Sequence, residues 1–376
     1  MIYLDYSATT PVDNQVIDSM NKVMREYIGN VSSLHGLGIK ANELFMDATS
    51  QIADLFGVKG AEIIYTSGAT EANNLAIKGV ALEYQNRGKH IITSKLEHPS
   101  IYAILEYLET LGFEISYVNN DSEGLVDFEH LKSLIRKDTI LVSIVAVNSE
   151  LGIRQPLKFI KQIISKQNPN TLFHSDMTQA VGKVPVNFKD VDMFSMSAHK
   201  IYGPKGIGLL YKSAKINLTP VIHGSSKVTD IRPGTIPLPL VAGLAKALRL
   251  ALENVDKNES YVKELSDKLV DGMKSYEGVE LNVTKYSIPH ILNFTFYETR
   301  PETIIHALDE YDIYVGTNTA CATGDLSSSV MAVYGNKKRS LSTIRVSISA
   351  KSKHQEINAF LGAFDEVYKK IKEMSK

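Results

Sequence analysis

The 376-residue sequence has a single cysteine, Cys321, no uninterrupted apolar run of membrane-spanning length, and almost no net charge. Each shortage excludes something. One thiol cannot form an internal disulfide, and no Cys/His cluster has structural-zinc spacing. A reducing, cytoplasmic compartment is therefore the simplest expectation. The most apolar long stretch, IPLPLVAGLAKALRLAL, is broken by prolines, Lys246 and Arg249, so no membrane span is expected. The opening MIYLDYSATTPVD lacks the basic segment and apolar core of a secretory signal. A formal net charge of -1 gives no reason to expect nucleic acid or an anionic membrane as the main partner. There is no low-complexity tract, internal repeat or disordered linker.

What the chain does have is alternation. Short β-rich runs occur at EIIYTS, HIITS, FEISYV, TILVSIVAV, TLFHSD, DMFSMS and GIGLLY, most of them separated by segments of helical spacing. Near-continuous apolar strands alternating with helices predict an α/β fold with a mostly parallel seven-stranded sheet covered on both faces. The last two runs are too close for a helical crossover, so that pair is expected to be antiparallel. Two helices are well marked. In PSIYAILEYLETLG, Pro99 stands at the first helical position and Gly112 just past the end. In LDYSATTPVDNQVIDSMNKVMREY, Val12, Val16, Met20, Val23 and Met24 share one helical face. One long helical pattern runs from about Pro239 to Tyr276, followed by a smaller α+β region. The expected division is a large unit over 15–255, and a small unit made of 1–14 and 256–376.

Several strand ends carry residues suited to chemistry. Lys200 follows Ser197 and His199 and precedes a rigid GPKG turn; partial desolvation there would free an amine to attack a carbonyl. YTSGATEANN turns from a strand into a helix near Ala69 or Thr70, which offers backbone N–H groups to a phosphate, or is an ordinary helix capped by Thr70. Asp176 ends the TLFHSD run, where a buried carboxylate needs several donors or a cationic partner such as a protonated pyridine nitrogen, unless it simply starts a turn. Asn148 and His98 also follow strands. A lysine, a phosphate cradle and a carboxylate at strand ends are the parts that hold pyridoxal 5'-phosphate.

The chain resembles the cysteine desulfurases, which are fold-type I, class-V aminotransferase-like enzymes. The likeness runs through YLDYSATTP, TSGATEANNLAIKG, LEHPS, TILVSIVAVNSELG, HSDMTQAVGK, SAHKIYGPKGIG, IRPGT, TACATG and STIRVSIS, in order and nearly end to end. The resemblance implies that Lys200 forms the Schiff base with the cofactor, that Asp176 binds the pyridine nitrogen, and that Gln179 binds the ring hydroxyl. It implies that Ala69, Thr70, Ser197 and His199 hold the phosphate, and that Thr235 reaches the phosphate of the other subunit of a homodimer. His98 would stack on the ring and move protons, and Asn148 would line the cofactor. Arg345 and Asn30 would grip the carboxylate of L-cysteine. Cys321, in a stretch of small and polar residues, would take the sulfur as a persulfide. It would then pass the sulfur to an acceptor protein, an iron-sulfur scaffold or a tRNA-thiolation enzyme.

Some positions depart from the family pattern. Met177 stands where a small residue is usual, and would either face the core or press on the ring. Val31 replaces a usual proline beside Asn30, and Thr317, Asn318 and Thr319 replace the usual residues before Cys321. The competing expectation is another enzyme of the same fold, an aminotransferase or a β-lyase. Cys321 favours desulfuration.

Overall fold

The computed structural model describes residues 1–225, 230–317 and 326–374; Cys321 lies outside them. In chain order the chain begins with β1 (Ile2–Tyr3), α1 (Asn14–Glu26) and α2 (Gly36–Phe56). Then come β2 (Ile63–Thr66), α3 (Ala69–Tyr84), β3 (His90–Ser94), α4 (Pro99–Thr110), β4 (Glu114–Val118), α5 (Phe128–Leu134), β5 (Thr139–Ser143) and α6 (Leu157–Gln167). β6 (Leu172–Asp176), β7 (Met193–Ser197) and β8 (Gly208–Lys212) complete the large sheet. The remainder comprises α7 (Leu238–Leu252), α8 (Val255–Met273), β9 (Val279–Leu281), β10 (Ile291–Phe296), α9 (Pro301–Asp309), β11 (Ile313–Tyr314), α10 (Ser328–Tyr334), α11 (Lys337–Leu341), β12 (Thr343–Ser347) and α12 (His354–Met374). None of the helices among the described residues is long and apolar enough to cross a membrane.

All seven expected runs form one sheet, in the order β2-β8-β7-β6-β5-β3-β4. The β3–β4, β3–β5, β5–β6 and β6–β7 pairs are parallel. β8 is antiparallel to both β7 and β2, so β2 runs in the same direction as β7. The carboxyl ends of β2, β3, β5, β6 and β7 therefore share one edge. The chain steps outward from β3 to β4, then returns to place β5 on the other side of β3. That reversal opens a crevice at the carboxyl ends of β3 and β5, where open α/β sheets bind ligands.

Two expectations fail locally. The helix near the amino terminus begins only at Asn14, capped by the Asp13 carboxylate, which accepts from the Gln15 N–H. Its inner face is Val16 and Val23, while Met24, about 100° further round the helix, is exposed. The long pattern after Pro239 is two helices, because Asn254 leaves the helical region with φ -128 and ψ 17. The break serves two cores. α7, packed beside α1 and α2, buries Leu238, Val241, Leu244 and Leu248 in the core shared with the large sheet, whereas α8 buries Val262, Leu265, Leu269 and Met273 in a separate core with β10, β12 and α12. Leu4 joins this second core, because β1 pairs with β11 and Asp5 bridges to Ser347. The first residues of the chain are thereby tied to its last quarter.

Candidate active site

A cavity of about 500 Å³ lies at the carboxyl edge of the sheet. The loop after β2 brings Ser67, Gly68, Ala69 and Thr70 to it; the loop after β3 brings Leu96 and His98; the segment after β5 brings Val145, Val147 and Ser149. Asp176 and Gln179 come from the end of β6 and the turn after it, Ser197, His199 and Lys200 from the end of β7, and Arg345 from β12. The expected residues Lys200, His98, Ala69, Thr70, Asp176, Gln179, Ser197, His199 and Arg345 thus meet in one place.

At one end the cavity suits an anion. α3 starts at Ala69 with Gly68 as its cap residue, and no side chain caps it, so the alternative of a Thr70 cap is set aside. The first N–H groups of a sixteen-residue helix face this end together with its positive dipole. The His199 ring shares a 3.1 Å hydrogen bond with Thr9 Oγ1. Burial, then the cations Lys200, Lys205 and Lys183, push its pKa down to about 4, so the ring is neutral at ordinary pH.

On the sheet side, Asp176 is buried. Its carboxylate accepts from Asn73 Nδ2 at 2.9 Å and from the Thr178 N–H at 2.9 Å. Lys200 is half-buried and donates to the carbonyls of Ser7 at 2.6 Å and Ala8 at 2.8 Å. The amine is thus held between the amino-terminal segment and the sheet. His98 caps α4, its Nδ1 accepting from the Ser100 N–H at 3.1 Å. A ring that accepts at Nδ1 carries its proton on Nε2 when neutral. Burial lowers its pKa; Asp176 opposes that and Lys200 adds to it.

Arg345 is only 2% exposed. Nη2 donates to Asp5 at 2.8 Å and Nη1 to the Ser149 carbonyl at 3.0 Å, while Nε is buried without a partner. The guanidinium is therefore pre-set by the protein and retains an unused donor. Ser7 Oγ and Thr178 Oγ1 are likewise buried and unpartnered, and both residues line the cavity. Unsatisfied polar atoms cluster where a polar ligand would complete them.

The other expected residues lie elsewhere. Asn148 does not line the cavity: Nδ2 donates to Leu96 O and Ser329 Oγ, and Oδ1 accepts from the N–H groups of Glu150 and Leu151. An amide has two donors and two acceptor sites, and all four are used within the protein, where they hold the turn after β5. Asn30 is exposed and its Oδ1 accepts from the Ser32 N–H, away from the cavity. Thr235 is exposed and does not line this chain's own cavity. Met177 is fully buried in the main core, so it faces the core. Three contributors had no role assigned from sequence: Asp5, Ser7 and Ala8. Their signal was the YLDYSATTP stretch, whose contacts are with residues far away in the chain.

The class-V aminotransferase family model matches residues 2–360. The chain belongs to that family. Within it, the cysteine desulfurase IscS of Histophilus somni (strain 2336) is 39% identical over 100% of this chain and 94% of its own length. A solved NifS-like protein superimposes with a TM-score of 0.92 at 35% identity, covering 97% of this chain and 98% of that one. A structure described as SspA in complex with cysteine has a TM-score of 0.81 at 30% identity, covering 94% of this chain and 100% of that one.

Proposed function

We propose that this chain is a pyridoxal-phosphate-dependent cysteine desulfurase, which converts L-cysteine to L-alanine and takes the sulfur onto Cys321. The observation that carries the reading is the pairing of an anion-ready helix start with a buried Asp176 and Lys200 in one cavity, beside a pre-set Arg345. The residues fit the cofactor: the start of α3 with Ser197 and His199 would hold the phosphate, Asp176 the ring nitrogen, and Gln179 the ring oxygen. When bound, the cofactor supplies a carbonyl for an amine and a ring that accepts electron density from the substrate α-carbon. Lys200 supplies the amine and moves the proton at that carbon. Arg345 binds the substrate carboxylate, because a guanidinium stays charged and offers parallel donors. His98 Nε2 moves the proton at the substrate sulfur. Cys321, as its thiolate, takes the sulfur as a persulfide; the carbon skeleton leaves as alanine, and a thiol acceptor removes the sulfur.

The same reading places the cofactor in a unit of residues 15–255, with 1–14 and 256–376 forming a small unit. It makes the enzyme a homodimer in which Thr235 serves the partner's phosphate site. Met24, Ile28, Leu34, Leu37, Ile39 and Met46 support this; all are exposed on α1, α2 and the connection between them. So large an apolar surface is costly unless a second chain covers it. The sulfur acceptor is a protein, an iron-sulfur scaffold or a tRNA-thiolation enzyme.

The test is to give the purified protein cysteine with and without a reductant. Sulfide and alanine in equal amounts are expected with reductant, and one extra sulfur atom on the Cys321 peptide without it. Cys321→Ser should bind cysteine yet make neither product. Pyruvate formation, or transamination undisturbed by Cys321→Ser, would replace this reading with a lyase or an aminotransferase.

A further inference from the structure

Lys183 is a buried lysine that the proposed chemistry does not use. Among the described residues it makes no ion pair, and its one hydrogen-bond partner is Gln179 Oε1. Burying an amine is expensive, and such groups gather at functional sites. The turn after β6 explains the contact. Hydrogen bonds from Ala180 N and Val181 N to Met177 O, and from Lys183 N and Val184 N to Ala180 O, wind the chain so that residues 179 and 183 stand about one helical turn apart.

Gln179 lines the cofactor cavity, whereas Lys183 lines a separate cavity of about 260 Å³ that it shares with Lys200, Tyr202 and His290. The Gln179 amide therefore lies between two spaces. A glutamine can ordinarily present either its oxygen or its nitrogen to a ligand. Here both neighbours leave only one choice. Lys183 Nζ donates to Oε1, and in its charged form it can do nothing else. The Ser7 carbonyl can only accept, and Gln179 Nε2 donates to it at 3.0 Å. One N–H of Nε2 remains for the cavity. Burial, with Lys200 and Arg345, drives the Lys183 pKa well down. Loss of that proton leaves the arrangement in place, because a neutral amine still donates to Oε1 and the Ser7 carbonyl can only accept from Nε2.

We propose that Lys183 is a positioning residue that locks the Gln179 amide with an N–H toward the cofactor, so that this point of the site admits only a hydrogen-bond acceptor. The proposal rests on the pyridoxal phosphate reading. Ser7 couples the lock to the reactive amine, since its carbonyl accepts from both Gln179 and Lys200. A lysine two steps from the cofactor thereby governs the orientation of a group that touches it.

The test is cofactor affinity, not turnover. The full-length chain, freed of cofactor, is titrated with pyridoxal phosphate, following the visible absorbance. Wild type, Lys183→Met, Gln179→Ala and the double variant form a cycle. Lys183→Met should weaken binding about tenfold, the worth of one hydrogen bond to a charged group. Gln179→Ala should do the same, and the double variant no worse than Gln179→Ala alone. Unchanged binding in Lys183→Met, or losses that multiply in the double variant, overturn the proposal. If Lys183→Met does not fold, Gln179→Glu decides. It keeps an oxygen for Lys183 but offers the cavity no N–H, and binding as tight as wild type overturns the lock. A wild-type chain that binds no pyridoxal phosphate removes the functional reading and this proposal together; wild-type binding with unaffected variants removes the proposal alone.

Discussion

Arg345 is a charge that water barely reaches, held by Asp5 and the Ser149 carbonyl with Nε left over. Lysine at this position would keep the charge but could not reproduce two directed contacts and a spare donor. Arg345→Lys should raise the KM for cysteine at least tenfold, in line with about 1.5–3 kcal/mol for a charge-assisted hydrogen bond. Steady-state kinetics across cysteine concentrations check this, and an unchanged KM would assign the carboxylate to another residue. Glu97, beside His98, invites a second prediction. Its Oε1 accepts from Ser94 Oγ and the Val145 N–H, its Oε2 has no partner, and burial pushes its pKa up to about 8. The folded protein therefore keeps a proton there that the unfolded chain releases above about pH 4.5. Stability contributed by that proton is complete below the unfolded value and is lost as pH rises toward 8. His199 acts with the opposite slope between pH 6.5 and about 4, where folding excludes a proton and acid destabilises. Melting temperatures at pH 6 and pH 8.5 isolate the first effect: wild type should lose more than Glu97→Gln over that interval. Equal losses would mean that Glu97 is ionised in the folded state. The strand-end residues Lys200 and Asp176 could be read from sequence because an apolar run followed by a polar group marks a strand's carboxyl end. The contacts of Arg345 could not, because its partner Asp5 is 340 positions away.

At the scale of elements, the turn after β5 is braced by one polar residue. Asn148 spends its whole amide on Leu96, Ser329, Glu150 and Leu151. Two of those bonds fix the turn that presents Ser149 O to Arg345; another reaches the first turn of α10, whose cap Ser327 donates to Glu150 at 2.5 Å. Asn148→Ala should cost about 1–3 kcal/mol, because buried partners are left unsatisfied. Chemical denaturation measures it; a loss below about 0.5 kcal/mol would mean the turn holds itself. The position after a strand was legible, but where the amide points was not, since that depends on α10, which lies far along the chain. The same limit explains α7 and α8. Their joint apolar pattern reads as one helix, and only the existence of two separate cores requires the break at Asn254. The seven sheet strands needed no such knowledge, since each is a buried run bounded by turns.

For the whole molecule, the exposed apolar surface of α1 and α2 and the absence of Thr235 from the lining of its own cavity belong to one prediction. Mixed dimers of a Lys200→Ala chain and a Thr235→Ala chain contain one site with both lesions and one with neither, if Thr235 serves the partner. Part of the wild-type activity should therefore return on mixing. Hybrids verified by mass, with no recovery, would place Thr235 in its own subunit's site or outside any site.

The parallel pairing of β1 with β11 and the Asp5–Arg345 contact have a consequence for a shortened chain. The cavity joins Ser7, Ala8 and Thr9 to Arg345, whose partner Asp5 stands 340 positions away in the chain. A chain cut before β12 keeps Lys200 but has no counter-ion for Asp5 and no strand edge for Leu4 to Tyr6. Closure of the cavity therefore depends on β12, and a chain cut before that strand leaves the site open.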